Sequence, residues 1–476
     1  MYKSLFSIPL ILAIASVALV GTAAWPYSVD DSYIVARYAE RIAEGKGYTM
    51  NDGEPTDGVT APLWLIPAIA ASSLGLCPLV ANKAVGLFCT MLAIFFLMVW
   101  IRSRAQGRIA SWFACVIVAT QPTFGIWAVA GLETGAATLA FVVALLAAFH
   151  RPRPMPIVAG IAIASLAWLR PEMALSSAVV LIALAMIDRV SGITAGCIAL
   201  LSVIAVIAFR FMMFGRILPL AYDAKPGTLF HGFYYAVTAA LVITSGVGIW
   251  IAWRGSTRNR DSDRAIGLAV IAHLISVVLA GGDWMPGFRL LAPILPAYAL
   301  LAALGTVALV RAKVGRAWLT AVLVFASLLS GIDAVVQIPE IRVAGETRAK
   351  TGKALAKWLS NNFRTVAMVD IGFLAYESKV EVVDLGGVTD PVVANFPGGH
   401  ISKEVDIGYL QSKCPDAIVL HSTQPPGISE DGTLFRLSGF PVEQRIAANA
   451  WVRDRFRVAR VIQYSKNYYY TVLKRR

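Results

Sequence analysis

Long apolar runs recur along the first 338 residues of this chain, and short stretches rich in Lys and Arg separate them. A run of about 20 apolar residues is what an α-helix needs to cross a bilayer core of about 30 Å. Inside lipid every backbone N–H and C=O must be paired within the segment, so such runs fold as helices. They lie at 5–25, 79–101, 109–129, 131–149, 155–170, 172–188, 191–214, 231–253, 265–281, 287–310 and 317–338. About 11 transmembrane helices are therefore expected. Composition agrees: the chain is 57% hydrophobic and 15% charged, whereas soluble domains carry about 25% charged residues. The fold class expected is a polytopic α-helical membrane protein with a soluble α/β domain at its C-terminal end.

The loops set the orientation. With the N-terminus in the cytoplasm, the cytoplasmic side receives Lys3 and the loops Arg102–Arg108, His150–Pro154, Asp188–Arg189, Arg254–Arg264 and Arg311–Arg316. These hold fourteen Lys/Arg against three acids, Asp188, Asp261 and Asp263. Positive residues collect on the cytoplasmic side, so the net charge of +13 reads as topology rather than nucleic-acid binding. The opposite face receives Asp30, Asp31, Glu54, Asp57, Glu133, Glu172, Asp223 and Asp283. The apolar but Pro-interrupted stretch Ala61–Leu76 is placed there too, as an interfacial or re-entrant helix. The first run lacks a small-residue cleavage site and reads as a retained anchor. Cys77, Cys89, Cys115 and Cys197 lie in or beside apolar segments and Cys414 in a soluble stretch; no pair has metal-ligand spacing and no disulfide framework is implied.

The composition changes after residue 338. Residues 340–476 hold nineteen Lys/Arg and fourteen Asp/Glu with no apolar span. A transmembrane domain over 1–338 and an extracytoplasmic α/β domain over 339–476 are expected, the latter from helices alternating with strands. Helices are expected at Glu340–Phe363 and Ile407–Lys413. Strands are expected at Thr365–Asp370, Val380–Asp384 and Ala417–Leu420, and a closing hairpin at Val458–Gln463 with Tyr468–Leu473.

Four polar groups stand out at the outer face. The first outer loop, 26–60, carries Asp30, Asp31, Tyr33 and Arg37, with an amphipathic helix from Asp31 to Glu44 expected to lie on the membrane. Adjacent acids at a membrane exit suit proton abstraction or cation binding, and paired carboxylates hold Mg²⁺ or Ca²⁺ through oxygen; alternatively Asp30 caps the helix. Glu133, in Gly131-Leu132-Glu133-Thr134, is a buried acid in need of a partner or a helix-start acid favoured by the macrodipole. Arg170-Pro171-Glu172 joins two spans in a tight turn, where Arg170 either snorkels to headgroups or clamps a phosphate. Lys225 and Arg216 are weaker candidates for that task. In Gly281-Gly282-Asp283-Trp284-Met285-Pro286-Gly287-Phe288-Arg289, Asp283 and Arg289 form a structural pair or line a site. Trp284 and Phe288 there are a sugar-stacking face or part of the interfacial aromatic belt. His273, mid-span, reads as a packing residue.

Taken in order, these motifs resemble a known family. The run DDSYIVARYAERIAEGKGYTMNDGEPTDGVTAPLW resembles the first outer loop of GT-C glycosyltransferases, which use polyprenyl-phosphate sugars. GLETG, LRPE, GGDWMPGFRLLAPILP and VVDLGGVTDP sharpen the resemblance towards the cell-wall arabinofuranosyltransferases that use decaprenyl-phosphate arabinofuranose. Val59 stands where many such relatives carry an aromatic residue. The resemblance covers nearly the whole chain and implies an inverting transfer of one sugar, arabinofuranose as the leading choice. The donor would be a polyprenyl phosphate, and the acceptor a glycan, lipid-glycan or glycoprotein outside the cytoplasm of a bacterial inner membrane. It implies Asp30 as base and Asp31 as its orienter or a cation ligand. Arg170, Arg289 and Lys225 would bind the donor phosphate. Tyr33, Arg37, Glu133, Glu172, Asp283 and Trp284 would shape the sugar and acceptor pocket. A lipid-linked-sugar transporter or flippase is the non-enzyme alternative, and a ligase or oligosaccharyltransferase acting on protein or lipid A the other. No internal repeat is evident, which speaks against the transporter.

Overall fold

The computed structural model describes residues 7–53, 55–104, 107–244, 247–257, 261–312, 332 and 336–476. Lys3, Glu54, the basic residues Arg258, Arg260, Lys313 and Arg316, and most of the segment 317–338 lie outside the described residues.

Every apolar segment up to residue 311 is helical, alone or as a helix pair. Among the described residues four helices are long and apolar enough to cross a membrane: Pro78–Ser103, Arg189–Phe214, Asp261–Leu279 and Arg289–Arg311. Two further pairs raise this to six, Gly107–Ala119 with Pro122–Val129 and Leu229–Ile243 with Gly248–Ser256. The first pair bends by 57°, because Pro122 opens the second helix and Gln121 before it is extended; a proline ring cannot continue the preceding helix. The others are shorter. Ile8–Ala23 has 16 residues, Thr134–Ala148 has 15 and Pro156–Leu169 has 14. At 1.5 Å per residue these rise only about 21–24 Å, less than the about 30 Å core. The chain is thus a multi-pass membrane protein with at least four long spans, or six with the bent pairs, among the described residues. The expected turn Arg170-Pro171-Glu172 does separate two helices, Pro156–Leu169 and Ala174–Ile187. Ala61–Leu76 forms a 3₁₀ turn, Pro62–Trp64, and a helix, Leu65–Ser73, too short to span.

Small residues let the helices approach. A Cβ on Gly255 would lie 1.9 Å from the Leu301 carbonyl oxygen, and one on Gly305 would lie 1.9 Å from that of Ile251. These two glycines set the close crossing of Val247–Ser256 against Leu295–Arg311.

The C-terminal part is a sheet domain. Its strands are β1 (Thr365–Met368), β2 (Glu381–Asp384), β3 (Ala417–Ser422), β4 (Gly427–Ile428), β5 (Leu434–Arg436), β6 (Phe456–Ser465) and β7 (Tyr468–Arg475). The main sheet has the order β2-β1-β3-β7-β6. β1 is parallel to β2 and β3, and β7 is antiparallel to β3 and β6. The expected strands and the closing hairpin are all present. β1 alternates faces as a strand must. Val366 and Met368 join the apolar core that continues into the membrane helices, while Ala367 and Val369 join a separate core on the far face.

The helix Asp30–Ala43 connects the two parts. It does not lie free on the membrane. Ser32 to Ala39 are all buried, and it packs against Leu65–Ser73, Pro78–Ser103 and the domain's helix Phe373–Ser378. Its polar side chains find partners in the sheet domain instead of water. Arg37 donates Nε to the Met50 carbonyl at 2.9 Å, Nη1 to that of Ala375 and Nη2 to that of Val380 at 2.7 Å. Tyr376 Oη donates to Glu40 Oε1 at 2.9 Å. Asn51 pairs with both the N–H and the C=O of Val382, on the outer edge of β2, at 2.9 and 2.7 Å.

Arg37→Met strands three buried carbonyls. A hydrogen bond to a charged donor is worth about 1.5–3 kcal/mol, so the variant should lose at least about 3 kcal/mol of stability. A lowered unfolding midpoint in detergent and faster protease cleavage between the two parts would report it.

Candidate active site

The carboxyl ends of the parallel strands β1 and β2 face the first outer loop. The loop after β1 reaches Asp30. The loop after β2 is built by Asp384, whose carboxylate accepts from the backbone N–H groups of Gly386, Gly387 and Thr389 at 2.8, 3.0 and 2.7 Å and from Thr389 Oγ1 at 3.0 Å. Burial lifts the Asp384 carboxyl to about 6. That loop carries Val388 into a cavity of about 220 Å³ shared with the membrane part. The ends of parallel strands are where α/β sheets place ligands.

Six residues singled out from sequence line this cavity together: Asp31, Glu133, Arg170, Glu172, Lys225 and Arg289. They come from the first turn of the helix Asp30–Ala43, from the single turn that holds Arg170 and Glu172, and from three further turns. Asp31 Oδ2 accepts from Lys225 Nζ at 3.3 Å, and about 30% of the Asp31 side chain remains open. Burial alone would lift its carboxyl. The ammonium of Lys225 and the guanidinium of Arg289, with the Lys225 hydrogen bond, outweigh burial and hold it below the ordinary aspartate value. Asp31 is therefore ionised at neutral pH and open to the cavity.

Asp30 is placed differently. It is not among the cavity-lining residues. Its Oδ2 accepts from the Gly372 N–H at 2.8 Å and its Oδ1 from that of Phe373 at 3.0 Å. It does not cap its own helix either, since Val29 is the N-cap residue. Burial lifts the Asp30 carboxyl above its ordinary value, against the pull of Arg348 and with Asp370 adding to the rise. Two adjacent acids thus sit in environments that drive their proton affinities apart. The pair does not converge on one point as cation ligands. Among the described residues no group of three or more His, Cys, Asp or Glu could hold a metal ion.

Arg170 spends both terminal nitrogens on neighbouring side chains and lines the cavity. Its Nη2 lies 2.9 Å from Glu133 Oε1 and donates to Thr134 Oγ1 at 2.9 Å, and its Nη1 lies 2.9 Å from Glu172 Oε1. Its side chain is 2% exposed, which excludes snorkelling to headgroups. One guanidinium between two carboxylates makes a net negative wall. Arg289 faces the opposite constraint. Its Nε donates to Asp283 Oδ2 at 2.8 Å and its guanidinium stacks 5.6 Å from the Trp127 ring. The residue before it, Phe288, holds φ +52° and ψ +48°. A bulky side chain at positive φ is strained, and such strain gathers at functional sites; here it aims Arg289.

The remaining expectations fall outside the cavity lining. Tyr33 packs edge-on to Phe373, ring centroids 5.0 Å apart. Arg37 is consumed by its three carbonyls. Asp283 reaches the site only through Arg289, and Trp284 is 66% exposed. His273 donates from Nε2 to the Leu290 carbonyl at 2.6 Å, directly behind the lining. Residues not singled out include Tyr222 and Val388 in the cavity and His400, whose Nδ1 lies 3.2 Å from the Gly386 carbonyl oxygen. Val59 lines the cavity as well. Only the VVDLGGVTDP motif signalled that the second loop of the sheet domain mattered.

Arg170→Ala would leave Glu133 and Glu172 facing each other half-buried and unpaired. Breaking such a group typically costs about 3–5 kcal/mol. A drop in unfolding midpoint, largely restored by adding Glu133→Gln, is the expected result.

Comparison with known proteins agrees with this architecture. Residues 339–472 match the model of a domain of unknown function, DUF8728. No curated protein matches the chain by sequence. Two crystal structures of ArnT from Cupriavidus metallidurans resemble it along nearly its whole length. The one bound to undecaprenyl phosphate superposes with a TM-score of 0.61 at 12% identity, covering 97% of this chain and 97% of that one. The apo structure gives 0.59 at 12% identity, covering 98% and 97%. The chain shares the fold of these two ArnT structures along nearly its whole length.

Proposed function

We propose that this protein is an inverting membrane glycosyltransferase that moves one sugar from a polyprenyl-phosphate donor to an acceptor hydroxyl. The observation that carries the reading is the ionised, cavity-facing Asp31 beside Lys225 and Arg289. Attack by an acceptor oxygen on the anomeric carbon forms the new C–O bond and breaks the bond to the phosphate oxygen. The acceptor proton passes to a carboxylate, and the electron pair leaves with the phosphate. Geometry comes before proton affinity in choosing a base, so Asp31 takes that role and Asp30 does not. Cations aimed at the leaving oxygen stabilise the charge that develops there, and Lys225 and Arg289 are the residues for it. Glu133 and Glu172, held by Arg170, shape the sugar pocket.

Support also comes from the surroundings. A groove of about 380 Å³, lined by Ile163, Leu166, Leu181, Leu200 and Val203, shares Arg170 and Pro171 with the polar cavity. An apolar groove meeting a charged cavity suits a substrate with a lipid tail and a phosphate head. The ArnT structure holding undecaprenyl phosphate is consistent with such a donor. We further place the domain division at residues 338/339, with the cavity and the sheet domain on the periplasmic face of a bacterial inner membrane; the excess of Lys and Arg in the loops assigned to the cytoplasmic side supports this. Arabinofuranose is the sugar we favour, from the motif resemblance. The acceptor is a glycan, lipid-glycan or glycoprotein.

The purified protein incubated with a polyprenyl-phosphate monosaccharide should release polyprenyl phosphate. Release of a diphosphate from a diphosphate-linked glycan instead would indicate a ligase, and lipid movement without turnover a flippase. Asp31→Asn should reduce turnover at least about 10²-fold, the low end for a general base, while donor lipid still binds. Because the Asp31 carboxyl lies below its ordinary value, turnover should hold as pH falls towards 4 and be lost only below it. Lys225→Gln removes the main opposing charge, burial then dominates, and the acid limb of kcat/KM should move up.

A further inference from the structure

Asp31 and Lys225 meet across 194 residues of sequence, and neither the helix start that carries Asp31 nor the loop that carries Lys225 is held in place by membrane helices alone. Each is tied to the sheet domain. Next to Asp31, Asp30 is fixed by the backbone N–H groups of Gly372 and Phe373, with Arg348 donating to the Ser28 carbonyl just upstream. Two residues before Lys225, the Asp223 carbonyl accepts from Lys403 Nζ at 3.0 Å. The same ammonium donates to the carbonyls of Ala394 at 2.6 Å and Phe396 at 3.0 Å. Lys403 is 1% exposed, and among the described residues no carboxylate pairs with it. A buried ammonium solvated by three carbonyls is costly unless all three stay in place. The short helix Ala221–Ala224 also packs on the domain's Pro391–Ala394.

We infer that the sheet domain assembles the catalytic cavity, with Asp30 and Lys403 as positioning residues that hold Asp31 and Lys225 within hydrogen-bond reach. The inference rests on the role proposed for Asp31 above. Asp30 acts through its neighbour. A carboxylate gripped by two N–H groups fixes both the start and the rotation of the helix Asp30–Ala43, and Asp31, one position on, inherits that rotation. Lys403 acts through the backbone of Asp223 and sets where the loop ending in Lys225 stands. Gly372 is part of the device. A Cβ there would lie 2.1 Å from the Asp30 carbonyl oxygen and 2.4 Å from its Oδ2, so no side chain fits without displacing Asp30.

The test uses the full-length protein in detergent or nanodiscs, with Gly372→Ala and Lys403→Met measured beside Asp31→Asn. Loosening either tie separates Asp31 from Lys225, so the acid limb of kcat/KM should move to higher pH in both variants, with kcat about tenfold lower or more, which corresponds to about 1.4 kcal/mol. Lys403→Met should in addition raise the donor KM, since it displaces the phosphate-facing lysine, whereas Gly372→Ala should act mainly on kcat. A lesion of stability alone would lower the amount of active enzyme and leave the pH profile unmoved. If either variant fails to fold, Asp30→Glu, which keeps the charge but lengthens the tether, reads the same limb. Wild-type limbs and rates in folded variants, with Asp31→Asn inactive, would overturn the inference and leave the proposed function standing. An active Asp31→Asn would overturn the proposed function itself.

Discussion

The burial of one helix, Asp30–Ala43, between the membrane bundle and the sheet domain is the constraint on which the rest depends. A helix with Arg37 in the middle of its buried stretch can be covered on both sides only if the guanidinium finds acceptors. Met50, Ala375 and Val380 supply them from three separate stretches of backbone. The loop that follows the helix, the helix Phe373–Ser378 and the approach to β2 are thereby placed relative to one another. The cavity exists where these pieces leave room beside the ends of the membrane helices.

Its charge is almost balanced. Three acids, Asp31, Glu133 and Glu172, face three cations, Arg170, Lys225 and Arg289. The balance is not uniform. Arg170 is surrounded by acceptors, so the wall around it is net negative, while Lys225 and Arg289 share Asp31 and Asp283 and leave the other side more positive. A bound group carrying a hydroxyl-rich ring and an anionic end would therefore enter in one orientation. Direction of binding is thus written into the pairing pattern rather than into the total charge.

Much of this was legible in the chain because polar residues at the ends of apolar runs are costly and stand out. Glu133, Arg170, Glu172 and Arg289 were visible on that ground, and all four line one cavity. The strands of the sheet domain were visible from their buried β-branched runs. The choice between Asp30 and Asp31 was not. Adjacent helix positions point about 100° apart, and what separates them is a pair of N–H groups 342 and 343 residues away. Tyr33 and Arg37 stood out as an aromatic ring and a cation in an outer loop, which suit a sugar; their contacts are Phe373 and the carbonyls of Met50, Ala375 and Val380. The described helices include four long spans, or six if each bent pair is one span, and the segment 317–338 lies largely outside the described residues.

Asn51 has a consequence beyond joining two parts of the chain. The two outer strands of the main sheet are protected by different means. β6 carries Arg457 and Arg460, and its register shifts twice against β7, both of which discourage another strand from adding there. β2 is only four residues long with Glu381 and Asp384 at its ends, and the N–H and C=O of Val382 on its outer side are closed by the side-chain amide of Asn51 acting as a one-residue strand. A sheet domain released from the membrane part would leave that N–H and C=O unpaired on its edge. One stretch of the domain's edge is in this sense completed by a residue more than three hundred positions upstream of it.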